Sequence, residues 1–233
     1  MRVETLEGWS SPLVQTVRRL TFDAAGRAVA APDNCWGLVF LRWEGKMQVL
    51  RTGLATSVAT YPHEAGEEMI SVAFRPQVYV PAMPGAAPRE AAARLPAGAG
   101  RFRLGAELIE APTWDNVDAF VEGLARRDVV KVDPVVAAAV AGRPLATSER
   151  TRQRRFAKIA GLGYKAFSQI ERARSAVELL ERGEAAADVA QALGYADQPH
   201  LTRSLRAILG RTPGQVRRAA PVDQRRLPPL MVT

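Results

Sequence analysis

LGYADQPHLTRSLR, residues 193–206, places a glycine between two short apolar-periodic segments and loads the second with Gln, His, Thr and Arg. After Asp197 the segment runs to Arg206 without an acid, whereas an ordinary surface helix mixes both signs. The preceding stretch, EAAADVAQAL (184–193), begins with acids and spaces Ala187, Val189, Ala190 and Leu193 as the buried stripe of a short amphipathic helix. Gly194 is suited to the left-handed conformation that ends a helix. Asp197 has the side chain of an N-cap, and the next helix tolerates Pro199 because it falls in the first turn. Leu201, Leu205 and Ile208 recur at i, i+4 and i+7 as an apolar stripe, leaving Gln198, His200, Thr202, Arg203 and Arg206 outward. Two short helices about a glycine turn, the second covered with donors, make a helix-turn-helix pattern. An acid-free face suits a helix that must lie against phosphates.

The same layout recurs 49 residues earlier, where Ser148 matches Asp197 and DPVVAAAVAG precedes TSERTRQRRFAKI. Val140-Ala141 then falls on Val189-Ala190, Arg154 on Arg203, Phe156 on Leu205 and Ile159 on Ile208, with Arg150, Gln153 and Arg154 outward. Between the copies, YKAFSQIERARSAVELL carries Phe167, Ile170, Ala173, Val177 and Leu180 on one stripe and reads as a long connecting helix. Two reading helices on one face of B-DNA sit about one helical turn, ~34 Å, apart.

Charge divides the chain. Residues 1–132 hold 15 Lys/Arg and 15 Asp/Glu, whereas residues 133–233 hold 17 and 9 and so carry the full net charge of +8. Nearly all of the C-terminal cations are Arg, whose planar fork suits bidentate contact with phosphates and guanine edges. A polyanionic partner and a solvated basic surface both accommodate this bias.

Residues 12–110 have short β-rich runs instead: WGLVFLRW (36–43), KMQVLRT (46–52), MISVAFR (69–75) and FRLGAEL (102–108). Turn residues such as Gly45, Gly53, Pro62 and Gly66 separate them, as in a small antiparallel sheet or barrel. AMPGAAPREAAARLPAGAG (82–100) reads as a loop, alone or around one short helix. At Thr113 the period changes to that of a capped helix with Val117, Phe120, Val121 and Leu124 on one face, and helical patterning continues to about residue 219. The tail APVDQRRLPPLMVT has three prolines and reads as unpacked.

Other chemistry finds little support. His63 and His200 are the only histidines and Cys35 the only cysteine, so no metal site and no cofactor is expected. His63 reads as a loop residue and Cys35 as a core edge. Trp36, Phe40, Trp43 and Tyr61 read as sheet core, with lining of a ligand pocket as the alternative. No Gly-rich phosphate loop or Ser/His/Asp pattern occurs, so no catalytic residue is assigned and the chain is not expected to be an enzyme. Neither a span of about 18–20 apolar residues nor a secretory leader is seen, which implies no membrane and a cytoplasmic location.

SERTRQRRF, AGLGYKAFSQIERARSAVELL and DVAQALGYADQPHLTRSLRAILGRTPGQVR together resemble the DNA-binding domain of AraC/XylS-type transcriptional regulators over residues 133–219. GYADQPHLTRSLR…GRTPGQVR is the most specific part, with turn, reading helix and closing G-x-T-P in register. ISVAFRP and the Pro/Ala-rich stretch after it are only loosely similar to the variable domains of such regulators. The resemblance implies an all-helical domain with two helix-turn-helix units behind an N-terminal effector or dimerisation domain. It carries reading positions onto Arg150, Gln153 and Arg154 in the first unit, and onto Gln198, Pro199, His200, Thr202 and Arg203 in the second. Two departures mark the first unit as the weaker copy: Arg152 stands where the second has Leu201, and Pro144-Leu145 replaces the Leu193-Gly194 turn. Burying an unpaired Arg would cost several kcal/mol, so the helix must tilt or Arg152 must snorkel outward.

The expectation is an α+β chain. A small antiparallel β domain (1–128, sensing or dimerisation) precedes an all-α DNA-binding domain (129–219), whose two helix-turn-helix units are joined by a long helix, and a tail (220–233). Its function would be sequence-specific regulation of transcription through double-stranded DNA, with a small organic effector, a homodimer and an RNA polymerase contact as further partners. A β-barrel enzyme or ligand carrier with a basic helical appendage for RNA or protein is the alternative.

Overall fold

The computed structural model describes residues 1–30, 34–54, 59–83, 92–144 and 147–218. The N-terminal strands are β1 (Arg2–Thr5), β2 (Val14–Thr21), β3 (Gly26–Ala30), β4 (Trp36–Trp43), β5 (Lys46–Thr52), β6 (Ala59–His63) and β7 (Glu68–Phe74). They are followed by β8 (Val78–Tyr79), β9 (Ala92–Leu95), β10 (Ala97–Gly98), β11 (Arg101–Leu104) and β12 (Glu107–Glu110). After a short 3-10 turn come α1 (Val117–Arg126) and β13 (Lys131–Val132). The helical part is α2 (Pro134–Val140), α3 (Glu149–Ala160), α4 (Tyr164–Glu181), α5 (Ala186–Ala192), α6 (Gln198–Leu209) and α7 (Pro213–Arg218).

Six strands form an antiparallel sheet in the order β1-β2-β7-β4-β5-β9. Side-chain alternation splits β4 between two cores: Trp36, Leu38 and Phe40 point to one, Val39 to the other. Both faces of this strand are covered, so WGLVFLRW reads as an almost unbroken apolar run. The turn into β5 uses Glu44 and Gly45, both at positive φ, which matches a two-residue hairpin to the twist of its strands. The smaller core lies toward the β3–β6 pair and contains Leu20, Phe22, Leu50, Tyr61 and Met69.

The larger core does not stop at the helical part. It joins Phe40, Phe74 and Phe102 to Val121 and Leu124 of α1, then to Val136 of α2, Phe156 of α3 and Phe167 and Ile170 of α4. A separate core holds Ala173, Val177 and Leu180 of α4 with Val189, Leu201, Leu205, Leu209 and Val216. One long helix therefore serves two cores, changing from one to the other between Ile170 and Ala173.

Several sequence expectations are corrected. FRLGAEL is a hairpin rather than one strand, because Gly105 at φ +62 reverses the chain between β11 and β12. Residues 92–95 and 97–98 are strands, β9 completing the large sheet beside β5 and β10 pairing with β11; residues 84–91 of the expected loop lie outside the described part. A short strand, β13, interrupts the expected helical run and pairs with β8. Trp43 is 36% exposed at the end of β4, where its indole donates to Ala65 O, and is not core. His63 ends β6, stacked on Phe22 with centroids 3.9 Å apart, and is not a loop residue. The tail beyond Arg218 lies outside the described residues.

Candidate nucleic-acid interface

The second unit is built as its sequence dictates. Gly194 sits at φ +69 after α5, and Tyr195 N donates to Ala190 O at 2.9 Å, closing the helix end. Asp197 is extended and its Oδ1 accepts from His200 N at 2.6 Å, so it caps α6. Leu201 and Leu205 are fully buried, and Leu209 with half-buried Ile208 completes the stripe. On α5 the stripe differs from the expected one: Val189 and Ala190 are buried, Ala187 is exposed and Ala186 takes its place.

This leaves Gln198, Pro199, Arg203 and Arg206 exposed and Thr202 half-buried on α6. Thr202 Oγ1 donates to Gln198 O at 2.9 Å, which holds the side chain along the helix. His200 faces the turn as well as the helix surface: its Nδ1 accepts from Ala196 N at 3.3 Å and its ring meets Tyr195 edge-on at 5.3 Å. Arg203 and Arg206 make no hydrogen bond or ion pair among the described residues, so their guanidinium donors stand open to a partner. Gly194→Ala should cost about 1 kcal/mol or slightly more, since L-residues are strained at this φ; chemical denaturation of the full chain measures it.

The first unit has the same capping logic on a different turn. Ser148 Oγ accepts from Thr151 N at 3.2 Å and starts α3, and Gly161 at φ +75 ends it. Arg152 lies outward and pairs with Glu149, which also accepts from Gln153 Nε2 at 2.9 Å, so snorkelling resolves the buried-Arg conflict. Gly142 at φ +63 makes the turn that follows α2, and of the expected Pro144-Leu145 turn Leu145 lies outside the described residues. Aligning Gly142 with Gly194 leaves three more residues before the Ser148 cap than Gly194 has before Asp197. The 49-residue offset therefore fails before the cap, and Val140 is exposed rather than matching buried Val189.

Arg150 and Arg154 are exposed and make no hydrogen bond or ion pair among the described residues. Arg154 borders a cleft of about 500 Å³ between α3 and the segment Tyr79–Met83. The first reading helix is thus partly screened by the N-terminal part, while α6 packs on the separate second core and reaches the larger one only through half-buried Ile208.

Sequence reasoning missed three polar joints. Asp133, fully buried, caps α2 by accepting from Val135 N and Val136 N at 3.0 Å, and takes Arg155 Nε on its other oxygen at 2.6 Å. The Asp-Pro pair at a helix start was the available signal. Asn34, 4% exposed ahead of β4, donates to Glu171 and accepts from Arg174 Nη1 at 2.9 Å, tying the sheet to α4. Arg172, between those two partners, donates to Gly194 O at 3.3 Å. No local sequence pattern marks either contact.

A second site lies apart from the helices. A cavity of about 560 Å³ is lined by Leu41, Trp43, Leu50 and Tyr61, together with the cationic Lys46 and Arg94. The Tyr61 hydroxyl is buried without a hydrogen-bond partner among the described residues, and burial, then the Glu67 carboxylate, pushes its pKa well above the ordinary tyrosine range. Among the described residues no group of His, Cys, Asp or Glu is placed to hold a metal ion.

Comparison with known proteins adds a domain assignment. Residues 142–219 match the family model of a helix-turn-helix domain. Among solved structures, ToxT from Vibrio cholerae is similar at 8% identity and a TM-score of 0.38, covering 91% of this chain and 96% of that one. A structure of ToxT from Vibrio cholerae O395 bound to (E)-4-(8-methylnaphthalen-1-yl)but-3-enoic acid is similar at 6% identity and a TM-score of 0.38, with the same coverage. No curated protein matches the chain.

Proposed function

Given a helix-turn-helix domain at residues 142–219, we propose that the chain is a sequence-specific, AraC-type transcriptional regulator that reads two adjacent major-groove segments of duplex DNA. The observation that carries this reading is α6: a capped helix on a glycine turn, its apolar stripe buried and its outer face free of acids after Asp197. The DNA-facing residues are Arg150, Gln153 and Arg154 on α3 and Gln198, Pro199, Thr202, Arg203 and Arg206 on α6, with Arg203 on a base edge and Arg154 on the phosphate backbone. His200 divides its role between the turn and the DNA face. Arg203 and Arg206 supply the forked donors that guanine and phosphate accept.

Residues 1–128 act as the sensing or dimerising unit and residues 129–219 as the DNA-binding unit, a division of function rather than of core. The Tyr61 cavity is the place for a small organic effector: its volume is that of a ligand pocket, and its lining joins apolar side chains to the Lys46 and Arg94 cations. A homodimer and a contact with RNA polymerase complete the regulator. It acts in the cytoplasm without chemical catalysis, and no helix among the described residues is long and apolar enough to cross a membrane.

Salt dependence tests the reading. Each phosphate neutralised releases about 0.9 counterion, so log affinity for duplex DNA should fall linearly with log salt, at a slope of roughly −4 or steeper if four or more phosphates are held. Fluorescence anisotropy of the full chain on a labelled duplex between low and physiological salt measures the slope. A flat response would remove duplex DNA as the partner.

A further inference from the structure

Arg172 lies at the middle of α4, where the helix passes from the larger core to the core of the second unit. Its Nη1 donates to Gly194 O at 3.3 Å, and its guanidinium lies over the Tyr195 ring at 4.4 Å. Tyr195 is 5% exposed and meets the His200 ring edge-on at 5.3 Å in the first turn of α6. The His200 ring in turn accepts from Ala196 N through Nδ1, and the His200 backbone N–H donates to the Asp197 cap. A continuous set of contacts therefore runs from α4 through the Gly194-Tyr195 turn to the start of the reading helix.

We infer that Arg172 is a positioning residue for sequence readout: it fixes the turn before α6, and thereby the pose of Arg203 and its neighbours, without itself touching DNA. The inference rests on the DNA-reading role given above. The physical reason is geometric. A glycine at positive φ is the softest point between α5 and α6, and its carbonyl and the following ring are what Arg172 holds. A cation over a ring and a charge-assisted hydrogen bond together restrain both the translation and the tilt of that turn. Glu171 and Arg174, on either side, grip Asn34 of the N-terminal part, so the same turn of α4 meets both halves of the molecule.

The discriminating property is that a positioning residue affects the wrong pose and the right pose differently, whereas a phosphate contact helps every sequence alike. The test uses the full chain, a duplex obtained by selection for binding, and an unrelated duplex of equal length. Arg172→Ala is expected to weaken the selected duplex about tenfold, to change the unrelated duplex less than about twofold, and to leave the salt slope unaltered. Arg172→Lys, which keeps the cation over the ring but not the planar fork, should fall between. In a Tyr195→Leu background the Arg172→Ala loss should shrink to less than about twofold, since both act on one turn.

Equal losses on both duplexes with a salt slope reduced by about one would make Arg172 a phosphate contact and overturn the inference. Unchanged binding to both would overturn it as well. If the wild-type chain itself did not distinguish the two duplexes, the DNA-reading proposal would be what had failed. Arg172 is half-buried and outside both apolar cores, so its replacement leaves the packed residues in place.

Discussion

Phe156→Ala is expected to destabilise the chain by about 3–5 kcal/mol, the range for truncating a buried aromatic to alanine. Phe156 is fully buried in α3, edge-on to Tyr164 at 5.4 Å and tilted against Phe167 at 5.1 Å. It stands where two helices of the first unit meet Val78 and Val80 of the N-terminal part in one core. The cavity cannot collapse easily, because its walls belong to three separate elements. Urea denaturation should show one transition that moves for sheet and helix signals together, since they share this core. A loss below about 1 kcal/mol would mean that the first unit and the sheet are not packed as described.

Arg203→Ala should cost about 1–3 kcal/mol of DNA binding and relax preference at particular base pairs, the signature of a lost base-edge contact. Arg154→Ala should cost less and lower affinity evenly across sequences, as a phosphate contact does. The ranking has a structural reason: α6 is capped, staked by Leu201 and Leu205 and open on its outer face, while Arg154 borders the cleft against Tyr79–Met83. Binding of each variant to a panel of single-base substitutions in the selected duplex separates the two. Were Arg154→Ala to alter base preference more than Arg203→Ala, the first unit would be the principal reader.

What the sequence made legible follows from where local chemistry was sufficient. The caps Ser148 and Asp197, the glycine at 194 and the stripe on α4 depend on side chains within a few residues of one another, and the structure has them as read. The β-rich apolar runs that become β4 and β7 were likewise visible in the sequence, although not that both faces of β4 would be covered. Errors arose where a distant partner decides. His63 looks like a turn residue beside Pro62 and Gly66, but stacking on Phe22 places it at a strand end. Residues 92–95 and 97–98 have the alanines and glycines of a loop and become strands because β5 and β11 offer edges to pair with.

The site was legible in the same uneven way. The outward residues of α6 could be read from periodicity because its buried stripe is strict. In the first unit a longer turn shifts the alignment before Ser148, so Val140 was placed on the wrong face. The contacts that orient the units, Asp133 with Arg155, Asn34 with α4, and Arg172 with the Gly194 turn, join residues 22 or more positions apart. No period or motif carries that information.

The most direct measurement is selection of binding sites by the full chain from a library of random-sequence duplexes. The expected result is enrichment of one site with two specified segments whose centres lie about one helical turn, ~10 base pairs, apart, the segment lost in Arg203→Ala being the more sharply specified. A library that emerges without enriched sequence, or with a single segment that Arg203→Ala leaves unchanged, would contradict it.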